Sequence, residues 1–271
     1  MNPAAYQAFE HAGWQRAAAA YAVTFDAATQ HYTAALLDAA GVGDGTEVLD
    51  VACGIGTLAA AASSRGAQVV GIDFSLAMLA QARARYPGLA FREGDAQALP
   101  FDEPHYDAVT INFGVHHFPQ PQRALAEARR VLRPGGRLAF TVWAAPDVHA
   151  LHGIAIEAVQ ALGDAGAALP APPQGDVNRA ETCLRLLGEA GFDAVHCDAR
   201  TLPATLCLPG VAELMLLMRE GTVRLAALIA TQSAERGAAL LADIERRASR
   251  FEREGRLEIP MAAILASAVK S

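Results

Sequence analysis

The sequence contains few cysteines and few cationic residues, and both shortages limit what the chain can be. Only four of the 271 residues are cysteine, and no two of them form a Cys-x-x-Cys pair. We therefore expect neither a disulfide framework nor a structural metal site. The 22 Lys and Arg residues are outnumbered by 29 Asp and Glu residues, which gives a formal net charge of −7. Because no basic stripe is evident, we do not expect nucleic-acid binding.

Long hydrophobic runs are also missing. No uncharged apolar run reaches the roughly 18 residues that a membrane-spanning helix needs. The first residues lack the basic segment and apolar core of a secretory signal. We therefore expect a cytoplasmic protein without a membrane partner. Hydrophobic residues nevertheless make up 52% of the chain, so it can bury a large core.

Short apolar runs alternate with helical patterns from Glu47 to Trp143, which is typical of βαβ units and a parallel sheet. Strands are predicted over residues 47–52, 68–73, 90–95, 106–113, 136–143, 194–202 and 261–270. Helices are predicted between the first five strands, over residues 57–65, 75–86 and 121–131. The expected fold is α/β, a doubly wound and mostly parallel sheet of seven strands.

The remaining segments suggest additions to this core. Residues 1–45 are predicted to form an N-terminal helical cap, and residues 46–202 with 256–271 form the α/β core. Residues 203–255 form a helical insertion before the last strand, either a lid or a dimerisation element. The composition of Gly163–Arg179, rich in Ala, Pro and Gly, predicts a loop.

The most informative motif is the glycine loop that follows the first strand. Gly54-Ile55-Gly56 leads from an apolar strand into an alanine-rich helix, so a nucleotide-like ligand can approach bare backbone there. Asp73, Asp95 and Asn112 follow at the ends of later strands. Because the carboxyl ends of parallel strands share one edge of a sheet, these residues predict a single ligand cleft.

Five segments of this region form an ordered series: Val48–Gly56, Val70–Ser75, Gly94–Phe101, Tyr106–Phe118 and Leu132–Leu138. In this order and at these spacings they resemble the motifs of class I S-adenosylmethionine-dependent methyltransferases, particularly the small-molecule branch that includes quinone-biosynthesis enzymes. The resemblance implies a Rossmann-like methyltransferase fold and an enzyme that uses S-adenosylmethionine.

The resemblance also implies roles for residues around the cleft. Asp73 would accept hydrogen bonds from the ribose hydroxyls, and Asp95 would accept one from the adenine amine. Asp50 would orient the ammonium of the methionine tail or, alternatively, bind loop amides. Tyr21 would close over the cofactor or belong to an ordinary packing stripe. The full set of predicted cofactor-binding residues is Tyr21, Asp50, Ala52, Gly54, Gly56, Asp73, Phe74, Asp95, Ala96 and Asn112.

His116 and His117 are the candidate catalytic residues. They follow the fourth strand, where an imidazole could take a proton from a hydroxyl or an acidic carbon. A structural role is the alternative, and no metal site is predicted, because adjacent histidines would need distant partners.

The predicted partner is a small, partly apolar methyl acceptor of the quinone, polyketide or keto-acid type. The helical insertion would cover it with Met215, Leu216 and Met218. The same apolar helices could instead form a homodimer interface.

Two other functions fit part of the sequence. Gly54-x-Gly56-x-x-Ala59, followed by Asp73, satisfies a loose dinucleotide fingerprint and permits an NAD(P)-dependent oxidoreductase. The second ligand loop at Asp95 and the lack of a Tyr-x-x-x-Lys pair favour the methyltransferase. A non-catalytic S-adenosylmethionine-binding protein is the remaining alternative.

Overall fold

The fold is built on one mixed sheet. The computed structural model describes residues 2–162, 169, 172 and 175–271. Its seven long strands are β1 (Glu47–Val51), β2 (Gln68–Asp73), β3 (Ala90–Glu93), β4 (Tyr106–Asn112), β5 (Leu132–Trp143), β6 (Cys197–Leu208) and β8 (Arg256–Val269). The short β7 (Glu252–Arg253) pairs only with β8. The predicted α/β fold with a mostly parallel seven-stranded main sheet is therefore confirmed.

The strand order is β3-β2-β1-β4-β5-β8-β6. Strands β1 to β5 pair in parallel, whereas β8 lies antiparallel between β5 and β6. Dinucleotide-binding folds have the strand order 3-2-1-4-5-6, which contains no antiparallel strand inserted after the fifth strand. The carboxyl ends of β1, β2 and β4 meet at one edge, where the glycine loop lies.

Three strands extend beyond the ranges expected from the sequence. Strand β5 begins at Leu132 rather than at residue 136. Strand β6 continues to Leu208, and β8 begins at Arg256, with pairing from Cys197–Ala268 to Leu208–Leu257. The sixth strand was predicted to end at residue 202, whereas β6 continues through Pro203. Because β6 is the edge strand of the sheet, it can contain a proline at a position where no neighbouring strand requires a hydrogen bond from the N–H.

Helices cover both faces of the sheet. Those between strands are α4 (Thr57–Ser63), α5 (Leu76–Arg85), α6 (Pro121–Val131), α7 (Ala150–Leu162) and α8 (Ala180–Glu189). The N-terminal region forms α1 (Pro3–Val23), α2 (Asp26–Gln30) and α3 (Thr33–Ala39). Helices α9 (Val211–Glu220), α10 (Arg224–Thr231) and α11 (Ala234–Ala248) lie between β6 and β7. Much of the loop predicted over Gly163–Arg179 lies outside the described residues.

Separate hydrophobic clusters join these layers. Leu49, Ile111 and Phe140 of the sheet pack with residues of α6 and α8, while Val48 and Ala139 pack with α3 and α4. A further cluster joins the end of β5 to helices α9 and α11. Within the described part of the chain, no helix has both the length and the apolar character needed to cross a membrane.

Helix α1 is fixed across the carboxyl edge of the sheet. The Gln15 side-chain oxygen accepts hydrogen bonds from the Ser75 hydroxyl (2.8 Å) and the Ala77 N–H (2.7 Å), at the start of α5. On another side of α1, a Cβ at Gly13 would lie 2.3 Å from a Val223 methyl, so only glycine permits this close approach. Both the α/β core and the segment before α10 therefore contact this helix.

Candidate active site

A cavity lies at the carboxyl edge, between the sheet and helix α1. It contains about 860 Å³ of space, its open mouth included. Its walls come from α1, the glycine loop and the ends of β2, β4 and β5. Nine predicted site residues line it: Tyr21, Ala52, Gly54, Asp73, Phe74, Asp95, Ala96, Asn112 and His117. Asp50, Gly56 and His116 do not.

The glycine loop has the backbone conformation that its sequence predicts. Ala52, Gly54 and Gly56 all have positive φ, of 56°, 54° and 83°. No atom lies within 4 Å of the place where a Cβ of Gly54 would sit, so this residue presents bare backbone to the cavity. A Cβ at Gly56 would lie 2.7 Å from the Phe91 ring, so Gly56 serves the packing of the turn.

Asp73 connects the end of β2 to the glycine loop. One carboxylate oxygen accepts the N–H of Gly54 at 2.9 Å, and the other accepts the N–H of Ser75 at 2.8 Å. Burial raises the pKa of Asp73 to about 6, although the backbone hydrogen bonds oppose that rise. Above this pH a fixed carboxylate faces the cavity, and each of its oxygens retains lone pairs for a ligand's hydroxyl groups.

Asp95 lies further along the same wall. Its Oδ1 accepts the N–H of Gln97 at 2.8 Å, which fixes the turn after β3. Its Oδ2 accepts a hydrogen bond from the Gln7 amide of α1 at 2.9 Å. Asp95 thus serves both as a turn-stabilising acid and as a cavity wall, and it connects the cavity directly to α1.

Asp50 and Asn112 differ in their access to the cavity. Asn112 lines it, and its side-chain oxygen accepts the Thr141 hydroxyl at 2.6 Å. Asp50 is buried away from it, and the Thr110 hydroxyl donates to its Oδ1 at 3.3 Å. Among the described residues, Oδ2 of Asp50 has no hydrogen-bond partner. Burial raises the pKa of Asp50 to about 8, so at neutral pH the group is mostly uncharged.

The structure separates the two adjacent histidines. His117 lines the cavity, and its Nδ1 lies 2.9 Å from Oε2 of Glu10 on α1. His116 is packed beside it, and its backbone oxygen accepts the Tyr6 hydroxyl at 3.1 Å. Burial and the neighbouring histidines His117 and His152 hold the pKa of His116 well below its ordinary range. Of the two histidines, only His117 lines the cavity.

Glu10 is the site residue that the sequence analysis missed. Its side chain is fully buried, and its partner lies 107 positions away in the chain. A local signal does exist, because Glu10 is the only acid in α1 and precedes Trp14 by one helical turn. The Trp14 ring meets His117 edge to face, with ring centroids 4.9 Å apart.

Aromatic rings that contact one another cluster at one end of the cavity. Phe113 and Trp143 stack with centroids 3.8 Å apart, and Phe25 meets Trp143 at 5.5 Å. Phe113 has the unusual φ of 56°, and its N–H donates to the Thr141 hydroxyl at 3.1 Å. Tyr21 stacks on Phe25 and also lines the cavity, so its packing and its access to a ligand coexist.

Two further histidines lie behind this aromatic wall. His149 is fully buried, stacks on His152 at 4.3 Å and meets Trp143 at 4.9 Å. Burial lowers the pKa of His149 to about 2 and that of His152 to about 4, so both are neutral at pH 7. Neither ring nitrogen of His149 has a hydrogen-bond partner among the described residues.

The insertion reaches the aromatic end through its buried side chains. Met218 is buried in the cluster that contains Phe113 and Trp143, and Met215 packs at its edge. Leu216 is 40% exposed instead. None of the three lines the cavity, so their expected contact with a ligand is not seen. Across the described residues, no group of three His, Cys, Asp or Glu side chains is suited to a metal ion.

Residues 49–140 match the family described as a methyltransferase domain. A demethylmenaquinone methyltransferase from Renibacterium salmoninarum is 43% identical over 118 residues, which are 44% of this chain and 50% of that protein. Another, from Thermus thermophilus, is 50% identical over 97 residues, 34% of this chain and 44% of that protein. The chain thus spans about half of these relatives.

Solved structures share the fold across most of the chain. The YcgJ protein of Bacillus subtilis has a TM-score of 0.59 at 18% identity, covering 89% of this chain and 98% of that one. Phosphoethanolamine N-methyltransferase 2 of Haemonchus contortus, solved with S-adenosyl-L-methionine, has a TM-score of 0.52 at 21% identity. It covers 89% of this chain and 53% of that one. Residues 49–140 thus match a methyltransferase domain, and over this part the chain is similar to demethylmenaquinone methyltransferases.

Proposed function

We propose that this protein transfers a methyl group from S-adenosylmethionine to a small, partly apolar acceptor of the quinone type. The observation that carries the proposal is a single cavity with two chemically different ends. One end has bare backbone at Gly54 and the fixed carboxylate of Asp73. The other has stacked aromatic rings, and the imidazole of His117 also lines the cavity.

The residues at the first end fit S-adenosylmethionine. Asp73 would hold the ribose hydroxyls, because both of its oxygens are fixed by backbone N–H groups and still have lone pairs. Gly54 has no Cβ to obstruct the ligand. Asp95 and the Ala96 N–H would hold the adenine, and Asn112 would contact the amino-acid tail. Bound S-adenosylmethionine supplies a methyl group on a positively charged sulfur.

The second end fits an acceptor with a flat apolar ring. Phe113, Trp143 and Phe25 offer apolar faces at one end of the cavity. Such faces also attract positive charge, which favours a cationic sulfur near them. The rings and α1 restrict the entry of water, so the main task of the site is to align acceptor and methyl group. The names of the relatives support a quinone-type acceptor.

The segments outside the methyltransferase domain would enclose this acceptor. We propose that the N-terminal helices form a cap and that α9 to α11 form a lid. Gln7, Trp14 and Tyr21 of α1 are among the cavity-lining residues. Leu214 and Leu217 of α9 are buried in the same cluster as Phe113 and Trp143, as expected of a lid that supports the acceptor end.

Calorimetric titration with S-adenosylmethionine, S-adenosylhomocysteine and NADPH tests the cofactor assignment. The wild type should bind the first two and not the third. Asp73→Ala should weaken binding at least about tenfold, a loss of about 1.4 kcal/mol or more, because two fixed acceptor atoms are removed. Asp38→Ala, an exposed acid in an ion pair with Arg65, is the matched control and should bind normally.

A transfer assay with radiolabelled S-adenosylmethionine then tests the reaction. We would use 1,4-naphthohydroquinone as a quinone-type acceptor and catechol as a smaller one. Labelled product from the hydroquinone is expected. Binding of NADPH alone would contradict the proposed function, and tight cofactor binding without transfer to any acceptor would identify a non-catalytic binding protein.

A further inference from the structure

The buried pair of Glu10 and His117 is the unusual electrostatic feature of the cavity. Glu10 lies on α1 with no exposed side-chain surface, and its Oε2 is 2.9 Å from Nδ1 of His117. Its Oε1 has no hydrogen-bond partner in the described part of the chain. A buried carboxyl group is costly to desolvate unless it is hydrogen-bonded to a donor. The His117 ring nitrogen is a hydrogen-bond partner at that distance.

This contact bears on which nitrogen of His117 carries hydrogen. With Glu10 as a carboxylate, which can only accept a hydrogen bond, Nδ1 of His117 is the donor. The neutral imidazole then keeps its lone pair on Nε2. The His117 side chain is 20% exposed and lines the cavity, whereas Glu10 is sealed behind it. The carboxylate is therefore placed to stabilise a proton gained at Nε2.

We propose that Glu10 is a positioning residue that holds His117 as a general base, and that the methyl acceptor carries a hydroxyl or an acidic C–H. This inference rests on the proposed methyl transfer. As the acceptor oxygen or carbon bonds to the methyl carbon, the carbon–sulfur bond breaks and its electron pair stays on sulfur. The acceptor proton moves to Nε2 of His117, and the imidazolium later releases it to water.

The proposal restricts the class of acceptor. A tertiary amine or a thioether has no proton to lose on methylation, so a buried base would be useless to it. A phenol, hydroquinone or enolisable carbon does lose a proton, and its nucleophilicity increases when that proton is removed. Glu10 and His117 thus favour acceptors that are methylated at oxygen or at an activated carbon.

Nitrogen-15 NMR of the histidine side chains tests the positioning without any acceptor. The His117 signals would be assigned by their loss in His117→Asn. In the wild type we expect the Nδ1–H tautomer, and in Glu10→Gln a shift toward the Nε2–H tautomer, because an amide can donate to Nδ1. Glu10→Asp should keep the carboxylate and restore part of the wild-type signature. Glu189→Gln, an exposed acid on α8, is the matched control.

Kinetics with 1,4-naphthohydroquinone then test the role of the pair in transfer. Glu10→Gln should lower kcat by about 10- to 100-fold, a typical cost of removing the partner that orients a functional histidine. KM should change little, because Glu10 does not line the cavity. Glu10→Asp should recover part of kcat.

The outcomes distinguish the proposal from the function on which it rests. A wild-type protein that does not bind S-adenosylhomocysteine would defeat the proposed function, while the tautomer result still tests the pair. An unchanged His117 tautomer in Glu10→Gln, with normal S-adenosylhomocysteine binding, would overturn the positioning role. Transfer to N,N-dimethylglycine, a tertiary amine, but not to either hydroxyl acceptor would overturn the acceptor class.

Discussion

Replacing Asp50 with Asn should change how the stability of the protein depends on pH. Asp50 is 1% exposed, and burial raises its pKa from 3.8 to about 8. The folded protein therefore keeps a proton on Asp50 at pH values where the unfolded chain has lost it. The free energy of unfolding must fall as the pH rises between these two values, and the fall ends above about pH 8.

The size of the effect follows from the pKa difference. One pKa unit corresponds to about 1.4 kcal/mol, so the wild type should lose about 1.4 kcal/mol per pH unit between about pH 5 and pH 7. Over the range from about pH 5 to pH 9 the loss amounts to about 4 kcal/mol. Asn keeps an oxygen that can accept from Thr110 and cannot ionise. Asp50→Asn should thus have nearly wild-type stability at about pH 5 and be several kcal/mol more stable than the wild type at about pH 9.

Urea unfolding at three pH values measures this difference. The gap between Asp50→Asn and wild type should increase steadily from acidic to alkaline pH. Asp102→Asn, an exposed control, should stay within about 0.5 kcal/mol of wild type throughout. A constant gap for Asp50→Asn would show that Asp50 is ionised over the whole range, which would refute the argument from burial.

Two further predictions concern the glycine loop and the buried histidine. Gly56→Ala should lower the free energy of unfolding by about 1–3 kcal/mol, measured by urea unfolding, because the new Cβ would meet the Phe91 ring and φ is positive there. Gly54→Ala has open space around its Cβ. It should therefore weaken S-adenosylhomocysteine binding, measured by calorimetry, more than it destabilises the fold. His149→Leu should raise the free energy of unfolding by about 1–2 kcal/mol, because it removes two unpartnered buried nitrogens. The increase in the free energy of unfolding should be larger at pH 5 than at pH 8. The reason is that His149 has a lowered pKa in the folded protein, so the wild type loses stability as the pH falls below the ordinary pKa of histidine. An equal increase at both pH values would contradict this argument.

The features that sequence predicts well are those fixed by local pattern. The alternation of apolar runs and helices predicted the first five strands, because a parallel strand covered by helices on both faces is a short, nearly continuous apolar run. The glycine loop was predictable because positive φ at Gly54 and Gly56 is a local requirement. Asp73 and Asp95 were recognisable because Asp73 ends β2 and Asp95 follows β3 closely, and parallel strands bring their ends to one edge.

The features that sequence did not predict depend on contacts between distant segments. Nothing near His116 or His117 indicated which ring would face the cavity, since that depends on helix α1. The sequence around Glu10 does not predict its contact with His117 either, because the two residues are far apart in the chain. The sixth strand was predicted to end at residue 202, but its pairing with β8 continues to Leu208, and this pairing depends on a segment about 60 residues further along the chain.

Helix α1 connects the closing of the cavity to the chemistry inside it. Its Gln7 binds Asp95, its Glu10 binds His117 and its Gln15 binds the start of α5. Burial of Tyr6 and Ala18 adds apolar packing to these hydrogen bonds, so α1 is held firmly at the edge. The helix that closes this side of the cavity is therefore the same helix that places the Glu10 carboxyl group against His117. Exclusion of water and orientation of the base thus depend on one structural element.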